Sequence, residues 1–374
     1  MRDAYSPYKG LRHLDVIQAV RSGVPARPIH VQVILSDLCN QACHFCAYRD
    51  PTYTSSQLFR VLEPGSKGLR KPGYEGYNFN PNRMIPYAKV LEILEDCRAM
   101  GVEAIQYTGG VEPTVHPDFA DIVYRTEGMA FSLVTNGVNV HRKKLAHGLA
   151  KASWVRVSLD AATVDTYARM RSVPPWQFAD ACAAIRSLRN ERDKQGTKCV
   201  IGVGFVVNRD NYAEVYSAVS LAKSLGADNI RISAQFSAED ERLFEDFHGT
   251  TSSWAKAAEA LTDETFTVFN RFGEKLDDLK QGAPDYETCG YQSFTTYIGA
   301  DLNIYRCCVL AYNERGVVGS LKEQRFRDLW MSQQRADDMA KFNARACERC
   351  QFNNINRVLD YALRSDEPEH AEFV

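Results

Sequence analysis

Residues 31–50 read VQVILSDLCNQACHFCAYRD, a run of β-branched and aliphatic residues that breaks into Cys39, Cys43 and Cys46. The run predicts a strand, which puts the three thiols on the loop at its C-terminal end. Gaps of three residues and then two are too tight and too asymmetric for a structural zinc knuckle, and no histidine follows to complete one. Three thiolates on one short loop suit an iron–sulfur cube, which has four irons, so one iron is left open to a small chelating molecule. Buried structural thiols account for single cysteines better than for three so close together, and a nucleophile needs only one. A disulfide fits poorly with a chain that shows no mark of secretion.

This loop, with Phe45 directly before its last cysteine, resembles the signature of the radical S-adenosylmethionine (SAM) superfamily. The resemblance implies a [4Fe–4S] cluster on Cys39, Cys43 and Cys46, with SAM chelated at the open iron and Phe45 beside the cofactor. It further implies that an electron from the cluster cleaves the sulfonium to a 5′-deoxyadenosyl radical, which takes hydrogen from a substrate.

Outward from this stretch the sequence alternates. After 31–36, strand patterns recur at VEAIQY, AFSLVT, WVRVSL, CVIGVGFVV and NIRISA, separated by helical patterns such as MIPYAKVLEILEDCRAM, HRKKLAHGLAKA and NYAEVYSAVSLAKSLG. Strands alternating with helices predict a parallel sheet with right-handed crossovers, and continuous apolar strands predict cover on both faces. Periodicity leaves open sheet and barrel equally possible. The family resemblance implies a partial (β/α)6 TIM-like barrel over 31–275, in the α/β class, with ligands at the C-terminal strand ends. Residues 1–30 lead in with one short helix. Residues 50–82, rich in Pro, Gly, Tyr and basic side chains, read as a lid-like insertion. The acidic stretch 237–247 reads as a solvated connection, followed by a long helix over about 253–272.

Three further strand ends carry chemistry. Thr108-Gly109-Gly110-Val111-Glu112-Pro113 places two glycines, which let backbone approach a ligand, beside a carboxylate. It resembles the family's GGGEP motif with Val111 for the third glycine, which implies that Gly109, Gly110 and Glu112 hold the SAM amine. Thr135-Asn136-Gly137 resembles the TNG of the superfamily, placing Asn136 at the cofactor. Ser158-Leu159-Asp160 with Arg171 resembles the SLD…R stretch, implying Ser158 and Arg171 at the SAM carboxylate and Asp160 near the ribose. From the residues alone, Arg171 is as readily a surface residue at a helix end. Arg231 and Gln235 fall at the predicted substrate mouth.

The C-terminal region, 285–352, holds Cys289, Cys307, Cys347 and Cys350. The Cys347-x2-Cys350 pair is a metal knuckle, and spacing leaves zinc and a second cluster both open. CGYQSFTTYIGADLNIYRCC, GVVGSLKEQRFRDLW and CERC resemble the Twitch extension, the smaller relative of SPASM, which implies a β-hairpin plus helix domain with an auxiliary [4Fe–4S] cluster. Leu302 stands where the hairpin glycine is expected, which implies a different turn. Cys308 competes with Cys307, and hairpin register favours Cys307. The helix NINRVLDYALR within 353–374 is expected to pack over the barrel or the cluster. Cys97, Cys182 and Cys199 read as small core residues.

With 374 residues, 45 basic against 47 acidic side chains and no long apolar run, the chain shows no strong nucleic-acid signal and no membrane or export segment, and is expected to be cytoplasmic. The resemblance implies an external one-electron donor such as flavodoxin or ferredoxin. It also implies a small sugar- or nucleotide-like substrate, with a ribosomal peptide as the alternative. From another class, a non-catalytic zinc-binding protein on the same fold would fit the second cysteine group.

Overall fold

The computed structural model describes residues 4–48, 84–109, 111–236 and 240–364, so the whole of the predicted lid, 50–82, and Gly110 lie outside the described residues. The apolar runs form β1 (His30–Val33), β2 (Ala104–Tyr107), β3 (Ala130–Thr135), β4 (Trp154–Ser158), β5 (Val200–Val207) and β6 (Asn229–Ala234). These strands pair in chain order and all in parallel. On the outer face Val31, Ile105, Leu133, Val155 and Ile230 join Ile93, Ile122, Ile185 and Val219 of the covering helices in one core. Parallel strands need such crossovers, because the chain must return to the same end of the sheet each time.

A seventh parallel strand, β7 (Thr267–Asn270), replaces the second half of the helix expected over 253–272. The helix His248–Glu259 ends early because Asp263 offers the backbone another partner, accepting from the N–H groups of Thr265 at 2.8 Å and Phe266 at 2.9 Å. The β-favouring residues TFTVF then extend beside β6. HRKKLAHGLAKA also departs from one helix, forming Val138–Arg142 and Ala146–Leu149 with Lys144 left-handed between them. Nor is the acidic connection merely solvated, since Phe244 and Phe247 bury in the core and Tyr212 stacks on Phe247.

The C-terminal region is not detached from the barrel. Its β8 (Thr295–Ile298) pairs in parallel with the free edge of β1, followed by β9 (Asn303–Tyr305) and β10 (Val317–Ser320) in antiparallel order. One ten-stranded sheet results, in the order β10-β9-β8-β1-β2-β3-β4-β5-β6-β7. At the β8–β9 turn Leu302 adopts φ +66°, so the turn keeps the left-handed conformation that glycine would supply, at a cost of roughly 1–2 kcal/mol. The last helix, Asn353–Leu363, packs Leu359 and Leu363 on Val16 and Ile17 of the N-terminal helix Leu14–Arg21, while its first turn reaches the second cysteine group. Buried Trp330 donates its indole N–H to the Ala26 carbonyl at 2.9 Å.

Arg325 joins the two regions by pairing with both Glu95 and Asp96. Asp96, fully buried on helix Tyr87–Met100, accepts from Arg325 Nε at 2.9 Å and from the Arg327 backbone N–H at 3.3 Å. Removing the guanidinium leaves a buried carboxylate with one long backbone contact. Arg325→Ala should therefore lower stability by about 1–3 kcal/mol in chemical unfolding. Unchanged unfolding would mean that the pair contributes nothing to docking.

Candidate functional site

The cysteine loop is fixed by backbone bonds before any cofactor is considered. Ala42 and His44 donate N–H bonds to the carbonyls of Arg171 at 3.0 Å and Met170 at 3.2 Å, tying the loop to the end of helix Val164–Arg171. Leu38 accepts from the Glu112 N–H at 3.1 Å, and Asn40 Oδ1 accepts from Asn136 Nδ2 at 2.6 Å. The Tyr312 hydroxyl, from beyond β9, donates to Asp37 at 2.6 Å. The loop thus touches two strand ends, a helix end and the C-terminal region at once.

Arg171 is buried, not a surface residue at a helix end. Its guanidinium pairs with Asp160, with side chains 4% and 3% exposed, bonds Gln41 Oε1, donates to the Ser158 carbonyl at 2.7 Å and lies 3.7 Å from the Cys43 sulfur. Burial works against its charge, but Cys43, Tyr167 and Asp160 outweigh it and hold the group protonated. Burial raises Asp160, opposed by Arg171 and by the Val206 N–H, which donates at 2.7 Å. Gln41, between the first two cysteines, completes the set by donating to Tyr167 at 2.8 Å and Gln177 at 2.9 Å.

Glu112 closes the second strand end against the third. Its Oε1 accepts from the Thr114 hydroxyl at 2.6 Å and the Thr135 hydroxyl at 2.7 Å, and its Oε2 from the Asn136 N–H at 2.7 Å. Burial pushes this carboxyl up and the Thr and Asn donors pull it down, with burial prevailing. Gly109 sits at φ +139° against Ile34, where a Cβ would come within 2.7 Å of Ile34 Cγ1, so only glycine fits.

These groups surround a cavity of about 560 Å³. Cys39, Cys43, Phe45, Cys46, Gly109, Glu112, Asn136, Ser158, Asp160 and Arg171 all line it, as do Arg231 and Gln235. The described members of the predicted cofactor set therefore share one space, and Gly110 lies outside the described residues. Burial raises Cys39, reinforced by the fields of Cys43 and Glu112. Thiols pushed toward protonation by each other are relieved when a cation binds, so this donor set fits an iron cluster.

A second, smaller pocket is lined by Cys289, Cys307, Cys347 and Cys350. Cys308 instead lines the large cavity, where Gln351 Nε2 donates to its sulfur at 3.1 Å. The chain bends through 306–310, just past β9, and the two adjacent thiols line different spaces. Burial, with the neighbouring thiols, pushes Cys289 up to about 12 and Cys347 up to about 11. Cys350 accepts from the Tyr286 hydroxyl at 3.3 Å and the Phe352 N–H at 3.3 Å. Hydrogen bonds to sulfur of this kind tune cluster potential, and these four thiols also fit an iron–sulfur group. Stacked rings of Tyr291 and Phe352, 4.0 Å between centroids, line both spaces and form the wall between them. Tyr286, Asn40 and Gln41 were not singled out from the sequence; only their closeness to cysteines could have flagged them.

A parallel α/β partial barrel with a thiol-bearing loop and a carboxylate–guanidinium network at its strand ends defines an iron–sulfur enzyme of the SAM-cleaving class. The model of the radical SAM superfamily matches residues 33–219, and that of an iron–sulfur cluster-binding domain, SPASM, matches residues 289–351. The chain belongs to the radical SAM superfamily, with a SPASM-type auxiliary region at its C-terminal side. Both families imply [4Fe–4S] clusters, the first with SAM, and the reading as a non-catalytic zinc protein is set aside. Among curated relatives, a probable GTP 3′,8-cyclase of Saccharolobus solfataricus is 26% identical over 55% of this chain and 57% of its own length. The match thus spans just over half of that relative. The mycofactocin maturase MftC of Mycobacterium tuberculosis is 26% identical over 90% of this chain and 78% of its own. Among solved structures, Streptococcus suis SuiB bound to S-adenosylmethionine superposes with TM-score 0.59 at 14% identity, covering 87% of this chain and 70% of that one. SuiB bound to precursor peptide SuiA gives 0.58 at 14% identity, covering 91% and 73%. Among the described residues no helix is long and apolar enough to cross a membrane.

The separation of the adjacent thiols predicts opposite outcomes for two substitutions. Cys307→Ala should lower the iron content of anaerobically reconstituted protein by about half, while Cys308→Ala should leave it unchanged. The reverse pattern would reassign the ligand.

Proposed function

We propose that this chain cleaves SAM reductively and uses the resulting radical on a substrate held in the large cavity, with the second thiol set carrying an auxiliary cluster. The observation that carries this reading is the convergence of three loop thiols, Glu112 and the Arg171–Asp160 pair on one enclosed space. When bound, the cluster on Cys39, Cys43 and Cys46 supplies the electron that breaks the sulfonium bond.

The chain's own residues supply position and charge. Glu112, whose oxygens already draw four donors from Thr114, Thr135 and Asn136, presents a fixed carboxylate for an ammonium. Arg171, held protonated, and Ser158 present the complementary side for a carboxylate. The walls matter as much, because a primary carbon radical is quenched by any loose hydrogen donor and must meet one substrate C–H bond only. An auxiliary cluster behind the Tyr291–Phe352 wall would accept or pass an electron as the substrate radical is oxidised, and an external one-electron donor such as flavodoxin or ferredoxin would prime the first.

For the substrate, a cavity of about 560 Å³ that carries arginine, glutamine and carboxylate side chains favours a compact sugar- or nucleotide-like molecule. A ribosomal peptide is the second reading, favoured by the similarity to a maturase over nine-tenths of the chain and by a neighbour of this fold that holds a precursor peptide.

Reconstituted protein should carry about eight irons per chain, from two four-iron clusters. It should form 5′-deoxyadenosine from SAM under strong reductant. Cys43→Ala should abolish that product, and Cys347→Ala should leave part of it as uncoupled cleavage. A protein that binds no iron, or binds iron and leaves SAM intact, would end this reading. Arg171→Met should weaken SAM binding about tenfold or more in equilibrium dialysis, because a charged hydrogen bond to carboxylate is lost.

A further inference from the structure

Small parallel barrels ordinarily fill their interior with apolar side chains. Here the inner face carries His30 and Gln32 on β1, Gln106 on β2, Arg156 on β4 and Arg231 on β6, all lining the large cavity. Two of these are arginines, one on each side of β5. In register Arg156 stands beside Gly202 and Arg231 beside Gly204. Glycine at 204 leaves the space between them open, since a Cβ there would meet Arg156 Cδ at 3.4 Å.

Neither guanidinium has an acidic partner. Among the described residues no carboxylate forms an ion pair with Arg156 or Arg231, whereas Arg171 has Asp160 and the nearby Arg271 has Glu274. Arg156 donates to the Tyr5 hydroxyl at 3.2 Å and lies 5.0 Å from the Trp154 ring centroid. The Nε of Arg231 is buried with no hydrogen-bond partner. Mutual repulsion is felt: Arg156, then burial, pull Arg231 down to about 9. His30 adds no charge, because burial lowers it to about 4. Asp160 lines the same space and acts on Arg231, but it is already paired with Arg171. Two guanidiniums facing one space with no carboxylate in contact cost stability unless something anionic arrives to share them.

We propose that Arg156 and Arg231 form a subsite for an anionic oxyacid group of the substrate, a phosphate or a carboxylate, held at the barrel floor so that the rest of the substrate projects toward the cysteine loop. This rests on the reading of the cavity as the substrate site. It adds that the substrate carries a terminal anion, and that this anion sets its depth in the barrel. Planar guanidiniums suit both groups, since each can be gripped through two parallel N–H bonds.

The test uses reconstituted protein with SAM already bound, so that the SAM carboxylate site is filled. Inorganic pyrophosphate, inorganic phosphate and acetate are titrated by calorimetry, and wild-type protein is then treated with phenylglyoxal with and without the tightest of them. Saturable binding is expected, along with protection of Arg156 and Arg231 from modification in mapped peptides. Arg231→Gln and Arg156→Gln should each weaken binding about thirtyfold or more while iron content and SAM affinity persist. Tighter binding of the phosphates than of acetate assigns a phosphoryl group, and the reverse assigns a carboxylate. No saturable binding of any of the three, or binding that leaves both arginines unprotected, overturns the subsite. The protection measurement needs no variant, so misfolding of either substitution leaves the test intact. Formation of 5′-deoxyadenosine is scored separately. Its absence would count against SAM cleavage, and its presence without anion binding against the subsite alone.

Discussion

A single buried cation organises the catalytic end of this barrel. Arg171 cannot stay charged and buried without acceptors, and it draws them from two separate parts of the chain: Asp160 and the Ser158 carbonyl at the end of β4, and Gln41 and the Cys43 sulfur within the cysteine loop. Burial that would be costly for an isolated guanidinium becomes a register device once these acceptors surround it. The same helix end that carries Arg171 also offers its last carbonyls to Ala42 and His44. Loop, strand and helix are thereby tied together around Arg171, which holds Cys43 against the guanidinium.

The two thiol groups differ in how the chain treats their charge. In the first, Arg171 sits against Cys43 and offsets thiolate repulsion. In the second, Cys350 is served by a hydroxyl and a backbone N–H, while the Arg306 guanidinium in the pocket lining pulls Cys289 and Cys347 down against burial, with Arg315 also acting on Cys347. The first group thus has its cation beside a sulfur, and the second feels its cations through space. The stacked Tyr291–Phe352 pair lines both spaces and stands between them. Continuity of the sheet through β1 and β8 fixes that separation mechanically, because hydrogen-bonded strands cannot slide past each other without losing register.

Much of this could be read from the sequence where local chemistry and fold agree. The six apolar strands and the cysteine loop after the first follow from residue type and spacing, whereas Glu112, Asn136 and Asp160 at successive strand ends are marked by the resemblance to the superfamily's motifs. β7 did not, because TFTVFN is short and the helical pattern before it runs on without a glycine or proline. Only the Asp263 turn, seen in three dimensions, ends that helix. The left-handed Leu302 was likewise hidden. Leucine disfavours that conformation in general, and it persists here because the hairpin's pairing to β1 through β8 outweighs the local cost. Arg171 shows the same limit from the other side, since a helix-end arginine has no sequence mark that tells burial from exposure.

The division of labour between the two faces of the sheet explains how a polar interior is tolerated. Parallel strands buried on their outer face by helices take their packing free energy there, through residues such as Val155 and Ile230, whose alternating neighbours Arg156 and Arg231 then point inward. Filling the inner face with leucine and valine would add stability, but it would leave no volume for a cofactor and a substrate together. Glycine at 204 makes the same concession on β5, giving up side-chain packing beside Arg156. The barrel is therefore stabilised from outside and left unsatisfied within. That leaves its inner arginines short of counter-charge and gives an incoming anion the largest electrostatic return at the bottom of the cavity rather than at its rim.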